Sequence, residues 1–294
     1  MKGRPLRLIL SRKGFDSSYG KVASPIFPDG TMLSLPIPRD PRSRKGEHLR
    51  YDDLNWNGKS LAGIVRDLTG DPRMPRRFAH PDPDLVNWAR VDSPDWRPLF
   101  GQRDAAQTHL ANNGVGLDDI FLFFGWFRRV KRADGRWRFV LGEPDLHVIF
   151  GYLQIGDVLN VCEDRDRMPA WAESHPHCQD AYGENNTLYV SPKKLRLDGV
   201  ETGLAGAGTF EYRDELSLTA PSGKRGSWRL PAWFYPFRPG HERIPLSYHG
   251  NTARWGKPNG ESVTLNSVSR GQEFVLDADQ YPESIEWIRK LIAG

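Results

Sequence analysis

Two short polar segments carry the residue types that acid–base chemistry needs. The first, HPDPD at 80–84, places one imidazole and two carboxylates within five residues. Alternate positions of an extended chain point the same way, so Asp82 and Asp84 are expected to project together, with His80 as a general base. The same letters are also an ordinary loop and helix-capping sequence, so both interpretations stay open.

The second polar segment is SRKGFDS at 11–17, which follows a strand predicted over Leu6–Leu10. Ligands commonly bind at the strand ends of open sheets. Arg12 and Lys13 are suited to holding a phosphate, and Asp16 to acting as a base or orienting a substrate hydroxyl. A simple basic turn would have the same composition.

Candidates for base recognition lie in the middle of the chain. A helix predicted within 101–114 carries Gln107, whose amide offers a donor and an acceptor to a base edge, and His109, which is equally typical of a structural histidine. The segment 125–139, which contains Trp126, interleaves aromatic and basic residues as stacking platforms do. A hairpin with one buried aromatic face and one solvated face would show the same pattern.

Two segments near the C-terminus combine charge with glycine beside an apolar run. They are SYHGNTARW at 247–255 and SRGQEFVL at 269–276. They add His249, Arg270 and Glu273 as candidate substrate-binding residues, with Arg270 suited to a phosphate.

Standard metal and nucleotide motifs are not found. His-Pro-His-Cys at 175–178 follows Cys162 by thirteen to sixteen residues, but zinc sites normally show a ligand pair on each arm, and a second pair is missing. We therefore predict no metal site, and the cofactor is unknown. The chain has no Walker A loop, dinucleotide fingerprint, GxSxG elbow or HExxH, which disfavours the enzyme classes that use them.

The charge is uneven along the chain. The net charge is +4, and residues 1–50 contain 11 Lys and Arg against 4 Asp and Glu, ending in a basic run at 39–50. Such a run attracts phosphates or is simply a solvated loop. No apolar stretch is long enough for a membrane helix, no signal peptide is recognisable, and two cysteines are too few for a disulfide framework. We expect a cytoplasmic protein without a membrane partner.

Periodicity and turn residues predict a single β-rich α+β domain over 1–294. Its clearest strand is the apolar run Ile120–Phe127, and Asp134-Gly135 predicts a hairpin turn after it. Further predicted elements are a helix at 61–68 ending at Thr69-Gly70, strands at 31–35 and within 209–220, and a terminal amphipathic helix at 284–292.

Long segments of the chain resemble the nucleotide modification associated domain 3 family. They are LILSRKGFDSSYG, SPIFPDGTMLSLPIP, HPDPDL, FGQRDAAQTHLANNGVGLDDIFLFFGWFR, HVIFGYLQIGDVL, YHGNTARW and RGQEFVLD. The resemblance implies a phage or bacterial setting and a role in modifying bases, in DNA more than RNA, or in nucleotide precursors. It names no reaction, so whether the chain is an enzyme is left open. At 116–119 Gly-Leu-Asp-Asp replaces the Gly-Asp pair of the family, which puts a tight turn there in doubt.

The segment 115–162 is also similar to PUA-like barrels, including EVE and ASCH domains. That likeness implies a barrel substructure over about 115–200 and a base pocket with Trp126 and Gln154. It supports an alternative function, a non-catalytic reader of modified bases. A metal-dependent defence nuclease is a second alternative, because clustered Asp residues can hold Mg²⁺. The sequence leaves the oligomeric state open.

Overall fold

The computed structural model describes residues 6–39, 48–179, 182–221 and 223–294. The strands are β1 (Arg7–Arg12), β2 (Ser24–Ile26), β3 (Ile37–Arg39), β4 (Asn55–Trp56), β5 (Lys59–Ser60), β6 (Phe78–His80), β7 (Leu99–Arg103), β8 (Ile120–Ala133), β9 (Arg136–Phe139), β10 (Leu146–Gln154), β11 (Asp157–Asn160), β12 (Asn186–Val190), β13 (Lys194–Leu197), β14 (Val200–Ala205), β15 (Ala207–Thr209), β16 (Ser227–Pro231), β17 (Ser262–Asn266) and β18 (Glu273–Asp277). The helices are α1 (Leu61–Thr69), α2 (Asp104–Asn112), α3 (Pro176–Gln179) and α4 (Glu283–Ala293). The predicted mixed α+β class is confirmed. Most of the basic run at 39–50 lies outside the described residues.

The central sheet is organised around β8. This strand pairs in parallel with β1 and antiparallel with β10, in the order β15-β10-β8-β1-β18. Residues 120–124 are all buried. Their continuous apolar run is typical of a strand that is covered on both faces. Asp134 and Gly135 take positive φ at the turn into β9, so the predicted hairpin is confirmed.

A second, three-stranded antiparallel sheet has the order β11-β12-β7. Phe100 on β7 joins it to the central sheet, with its ring 5.0 Å from that of Phe121 on β8 and 6.0 Å from that of Tyr189 on β12. Within the described ranges no strand pairing closes a sheet into a barrel. The PUA-like barrel therefore stays a prediction.

The predicted helix at 61–68 and the predicted terminal amphipathic helix are confirmed. Helix α1 buries Leu61, Ile64 and Leu68 and ends at Gly70, whose φ of 68° is the left-handed conformation that glycine favours. Helix α4 buries Ile288 and Leu291 against the main core. None of the helices in the described part of the chain has the length and apolarity to span a membrane.

Two predicted strands do not form in the described residues. In 31–35, Thr31 bridges the segment at 211 whereas Met32 bridges β2. In 210–220 the chain makes isolated bridges to several segments and includes a 3-10 turn at Asp214–Leu216. Successive residues pair with different partners, so no continuous ladder develops and the strand predictions at these positions were wrong.

The turn at 116–119 forms although the family's glycine is missing. Asp118 has a φ of 70°, the region that glycine would occupy with less strain. The buried Asp119 carboxylate accepts hydrogen bonds from the N–H of Gly116 at 2.8 Å and of Arg7 at 2.7 Å. Because Asp119 also ties β1 to this turn, it stabilises the start of β8.

Candidate active site

A cleft of about 610 Å³ lies at the carboxyl end of β1. The loop after β1 forms one wall, the junction of β7 and α2 at 101–106 forms another, and residues before β18 close the rim. Six residues that the sequence singles out line it: Arg12, Lys13, Asp16, His80, Asp82 and Trp126. Segments far apart in the chain therefore meet at one site.

The pairing of neighbouring strands explains this convergence. Strand β1 runs parallel to β8, and the Lys13 N–H donates to the Phe124 carbonyl at 2.8 Å, which sets the loop after β1 beside Trp126. Asp82 is fixed to β7 because its Oδ1 accepts the Gly101 N–H at 2.7 Å. The two polar segments of the sequence thus reach the same cleft through different sheets.

Asp82 lies at the centre of a buried histidine cluster. Nε2 of His80 and Nε2 of His177 are each 3.8 Å from its Oδ2, and Nε2 of His175 is 3.2 Å from its Oδ1. The Asp82 side chain is only 6 % exposed. We call His80, Asp82 and His177 the histidine–carboxylate triad.

Asn186 determines which nitrogen of His177 carries the proton. The Asn186 Nδ2 donates to the His177 carbonyl at 2.9 Å, so its Oδ1, 2.6 Å from His177 Nδ1, must accept from that nitrogen. The neutral ring therefore presents the lone pair of Nε2 to Asp82. Burial lowers the pKa of His177 to about 4, so the ring is neutral at pH 7.

The other members of the triad are also held in defined protonation states. Burial lowers the pKa of His80 well below its ordinary value, and Nη1 of Arg39 lies 3.2 Å from His80 Nδ1. Burial opposes ionisation of Asp82, but contact with His175 and the other imidazoles outweighs it and lowers the pKa of Asp82. The triad is thus one carboxylate between neutral imidazoles.

The cleft lining also contains arginines and an aromatic ring. The Arg225 guanidinium lies 4.1 Å from the centre of the Trp126 ring, a cation–π contact. Arg12 donates to the carbonyls of Ser269, at 2.9 Å, and Gly271. Burial lowers the pKa of both arginines, yet guanidinium groups stay charged at neutral pH. The cleft therefore contains desolvated cations beside a stacking surface.

Lys13, which belongs to the cleft lining, is paired with Glu273. Its Nζ is 2.8 Å from Glu273 Oε1, and Gln102 Nε2 donates to the same oxygen at 2.7 Å. Glu273 is only 1 % exposed, and the Lys13 ammonium is 4.3 Å from the Phe100 ring centre. Lys13 thus lines the cleft with its charge already compensated.

Other predicted site residues lie outside the cleft. Asp84 Oδ1 accepts the N–H groups of Val86, at 3.3 Å, and Trp88, at 3.2 Å. Burial raises the pKa of Asp84 to about 6. Gln107 is buried and accepts the Tyr189 hydroxyl at 2.9 Å. Asp84 therefore organises a loop and does not project beside Asp82 as expected.

Gln154, His109, His249 and Arg270 are also separate from the triad. Gln154 is fully buried and bonds three backbone groups, two of them in Arg196. His109 Nε2 lies 3.0 Å from Ser247 Oγ, and the buried His249 lies 2.8 Å from the Ser247 carbonyl through Nδ1. Arg270 is exposed between two residues of the cleft rim.

Several cleft residues were missed from the sequence. His175 and His177 have no nearby ligand pair in the sequence, because their partner segment is at 80–82, more than ninety residues earlier. His147 and Arg225 had no sequence signal at all. His147 lines the cleft, its Nδ1 accepts the Trp228 indole N–H at 3.0 Å, and burial lowers its pKa to about 3.

A second cleft of about 690 Å³ adjoins the first. It shares His80 and Arg103 with the first and adds the cationic residues Lys21, Arg39 and Arg77. The Arg103 guanidinium is 4.3 Å from the Tyr182 ring centre, where the two clefts meet. The basic lining is therefore longer than one binding pocket.

Comparison with known proteins identifies a family. A family model described as nucleotide modification associated domain 3 matches residues 7–277. No curated protein and no solved structure matches the chain. The matched span includes every cleft residue described above.

Proposed function

The chain belongs to the nucleotide modification associated domain 3 family, and on that premise we propose that it is an enzyme that modifies a base in DNA or in a nucleotide precursor. The family places the protein in nucleotide modification. The cleft is the proposed active site, with the histidine–carboxylate triad as its reaction centre. Arg12 and Arg225 in the lining of the cleft support a nucleotide or nucleic-acid partner.

One observation carries the proposal. Residues selected from separate segments for phosphate binding, acid–base chemistry and base stacking share one cleft with a buried triad. Titratable groups with shifted pKa values in a cleft are typical of active sites. Structural ion-pair networks also shift pKa values, but here the triad lines a cavity that a substrate can enter.

Each part of the cleft suits one part of a nucleotide. Arg12 and Arg225 provide charge for a phosphate. The Arg225 plane stacked on Trp126 offers a flat cationic surface for a base. Asp16 Oδ1 accepts the N–H groups of Ser18 and Tyr19, both at 2.7 Å, which holds the carboxylate at the cleft for acid–base work or for a substrate hydroxyl.

The adjoining basic cleft favours a polynucleotide over a free nucleotide. Lys21, Arg39, Arg77 and Arg103 extend the positive lining beyond the volume one nucleotide would fill. A strand of nucleic acid would place neighbouring phosphates along these side chains. DNA remains our preferred substrate over RNA, as the family resemblance implies.

The test compares cells that express the protein with cells that do not. Nucleosides from total DNA and total RNA are measured by mass spectrometry, with wild-type protein, with Asp82→Asn, and with His109→Ala as a control outside the cleft. We expect a changed nucleoside with wild type and with the control, but not with Asp82→Asn. An unchanged nucleoside profile in cells with abundant folded wild-type protein would contradict enzymatic base modification. It would favour the alternative function, a non-catalytic reader of modified bases.

A further inference from the structure

We propose that the histidine–carboxylate triad binds one divalent transition-metal ion, through Nε2 of His80, Oδ2 of Asp82 and Nε2 of His177. The proposal deepens the proposed function by naming an ion for its reaction centre. The test of metal binding needs no nucleotide, so metal binding and base modification can fail independently of each other.

The first argument is distance. One ligand atom from each triad residue lies within 4.8 Å of the other two, and both nitrogens are 3.8 Å from Asp82 Oδ2. A tetrahedral ion with bonds of about 2.0–2.2 Å needs ligand atoms about 3.3 Å apart. The side chains would have to move inward by only about half an ångström, which is small compared with ordinary rotamer adjustment.

The second argument is the arrangement of lone pairs. His177 donates through Nδ1 to Asn186, so its Nε2 lone pair faces the Asp82 carboxylate without a proton between them. Two such acceptors repel each other in a buried site unless a cation or a donor lies between them. A metal ion satisfies both.

The surrounding contacts match those that support metal ligands. Asn186 orients His177, and the Gly101 N–H orients Asp82. Nδ1 of His175 accepts the backbone N–H of His177 at 3.3 Å, so the Nε2 of His175 carries the proton and lies 3.2 Å from Asp82 Oδ1. A histidine ligand with its distal N–H bonded and a carboxylate ligand held by donors are the usual arrangement around protein-bound metals.

Arg39 distinguishes His80 from His177. Its guanidinium can only donate, so with Nη1 at 3.2 Å from His80 Nδ1 the proton of the neutral ring is on Nε2. Metal binding through Nε2 requires that proton to move to Nδ1 and Arg39 to withdraw. Arg39 should therefore compete with the ion, and its replacement by an acceptor should favour binding.

The ligand set indicates the class of ion. Two imidazoles and one carboxylate suit Zn²⁺ or Fe²⁺, whereas Mg²⁺ and Ca²⁺ prefer oxygen ligands. All three triad residues belong to the cleft lining or its floor, so the remaining coordination positions face the substrate space. Three protein ligands with open positions are typical of catalytic metal sites, whereas structural sites are closed.

The experiment uses the full-length protein after treatment with a chelator. Zn²⁺ binding is measured by calorimetry and by elemental analysis after gel filtration, and Co²⁺ binding by visible absorption, with Mg²⁺ as the comparison ion. We expect one Zn²⁺ or Co²⁺ per chain and no Mg²⁺ at equal concentration. Failure to retain Zn²⁺, Co²⁺ or Fe²⁺ would overturn the proposal.

Variants test the ligands. His80→Ala, Asp82→Asn and His177→Ala should each weaken Zn²⁺ binding at least tenfold, and His109→Ala should leave it unchanged. Asn186→Ala should weaken it about 10- to 100-fold, the usual effect of losing an orienting partner. Circular dichroism identifies variants that do not fold, and His80→Gln or His177→Gln replaces the alanine variant at the same position if it fails. Unchanged binding in folded His177→Ala would overturn the proposal.

Arg39→Gln provides a test with the opposite sign. Its side-chain oxygen can accept from His80 Nδ1–H, so we expect Zn²⁺ to bind several-fold more tightly than in the wild type. A merely structural role for Arg39 would give equal or weaker binding, and that result would overturn the assignment of His80 as a ligand.

Discussion

Nδ1 of His177 lies 2.6 Å from Oδ1 of Asn186, and this contact decides that the other ring nitrogen faces Asp82 as an acceptor. Asn186 is the first residue of β12, whose partner β7 also holds Asp82 through Gly101. One pair of strands therefore sets both the histidine and the carboxylate.

Gly101→Ala should disturb His177 directly. A Cβ at this position would collide with the His177 ring, and the strand backbone cannot move away without losing the Asp82 contact. We expect a loss of about 1–3 kcal/mol in the free energy of unfolding, measured in urea. Modified nucleoside in cells should fall in parallel.

The matched control is Gly63→Ala in α1, where a Cβ meets nothing within 4 Å. It should be neutral or stabilise by up to about 1 kcal/mol, because alanine is the better helix former. Equal effects of the two substitutions would contradict the steric argument.

Glu273→Gln should destabilise the protein through Lys13. The Lys13 side chain is only 9 % exposed, so losing the carboxylate leaves a buried charge without its ion-pair partner. We expect a cost of about 3–5 kcal/mol in urea unfolding. Adding Lys13→Met should recover part of it, so that the double variant costs less than the two single changes together. If the unfolding free energies lost in the two single variants add up to the loss in the double variant, Lys13 and Glu273 are not coupled.

Arg225→Ala should weaken binding of single-stranded DNA and its dependence on salt. If Arg225 contacts one phosphate of the single strand, the slope of the logarithm of affinity against the logarithm of salt concentration should become about 0.7 less steep. Fluorescence anisotropy across a salt series measures it. The control is Arg289→Ala, which replaces an exposed side chain on α4 and should leave both affinity and slope unchanged. The same slope for all three proteins would place the phosphates elsewhere.

His147→Asn should make stability less sensitive to acid. The pKa of His147 is lowered to about 3, so the unfolded chain binds the extra proton as the pH falls below about 6.5, and the folded state loses stability. Asparagine keeps an oxygen acceptor for the Trp228 N–H but does not titrate. Between pH 6.5 and 4.5 the variant should lose about 2 kcal/mol less unfolding free energy than the wild type.

Urea unfolding at several pH values measures the difference. Parallel pH profiles for the two proteins would mean that His147 is protonated equally easily in both states.

Local signals in the sequence predicted local structure well. The helix ending at Gly70, the Asp134-Gly135 hairpin and the terminal helix with Ile288 and Leu291 inside depend on neighbouring residues alone. The bridges of residues 31–35 depend on which distant segments lie beside them in the fold. The apolar periodicity of the sequence contains no information about such neighbours.

The candidate site was predictable in part for the same reason. The segments at 12–16 and 80–82 carry enough polar chemistry to be selected by themselves. His175 and His177 become informative only when β12 lies beside β7, which brings them to Asp82. Arg225 and His147 are single residues in unremarkable surroundings, so only the folded chain reveals them.

The pairing of β1 with β18 has a consequence for how the protein can be joined to others. Arg7 Nη1 and Asp277 Oδ1 are 2.6 Å apart, and these residues are the two ends of the span matched by the family. These two positions therefore lie side by side, about 17 Å along β1 from the cleft at Arg12. A fold with adjacent ends can be inserted into a loop of a host protein without stretching either. Any such insertion must keep α4, which follows Asp277 and packs Ile288 and Leu291 against the main core.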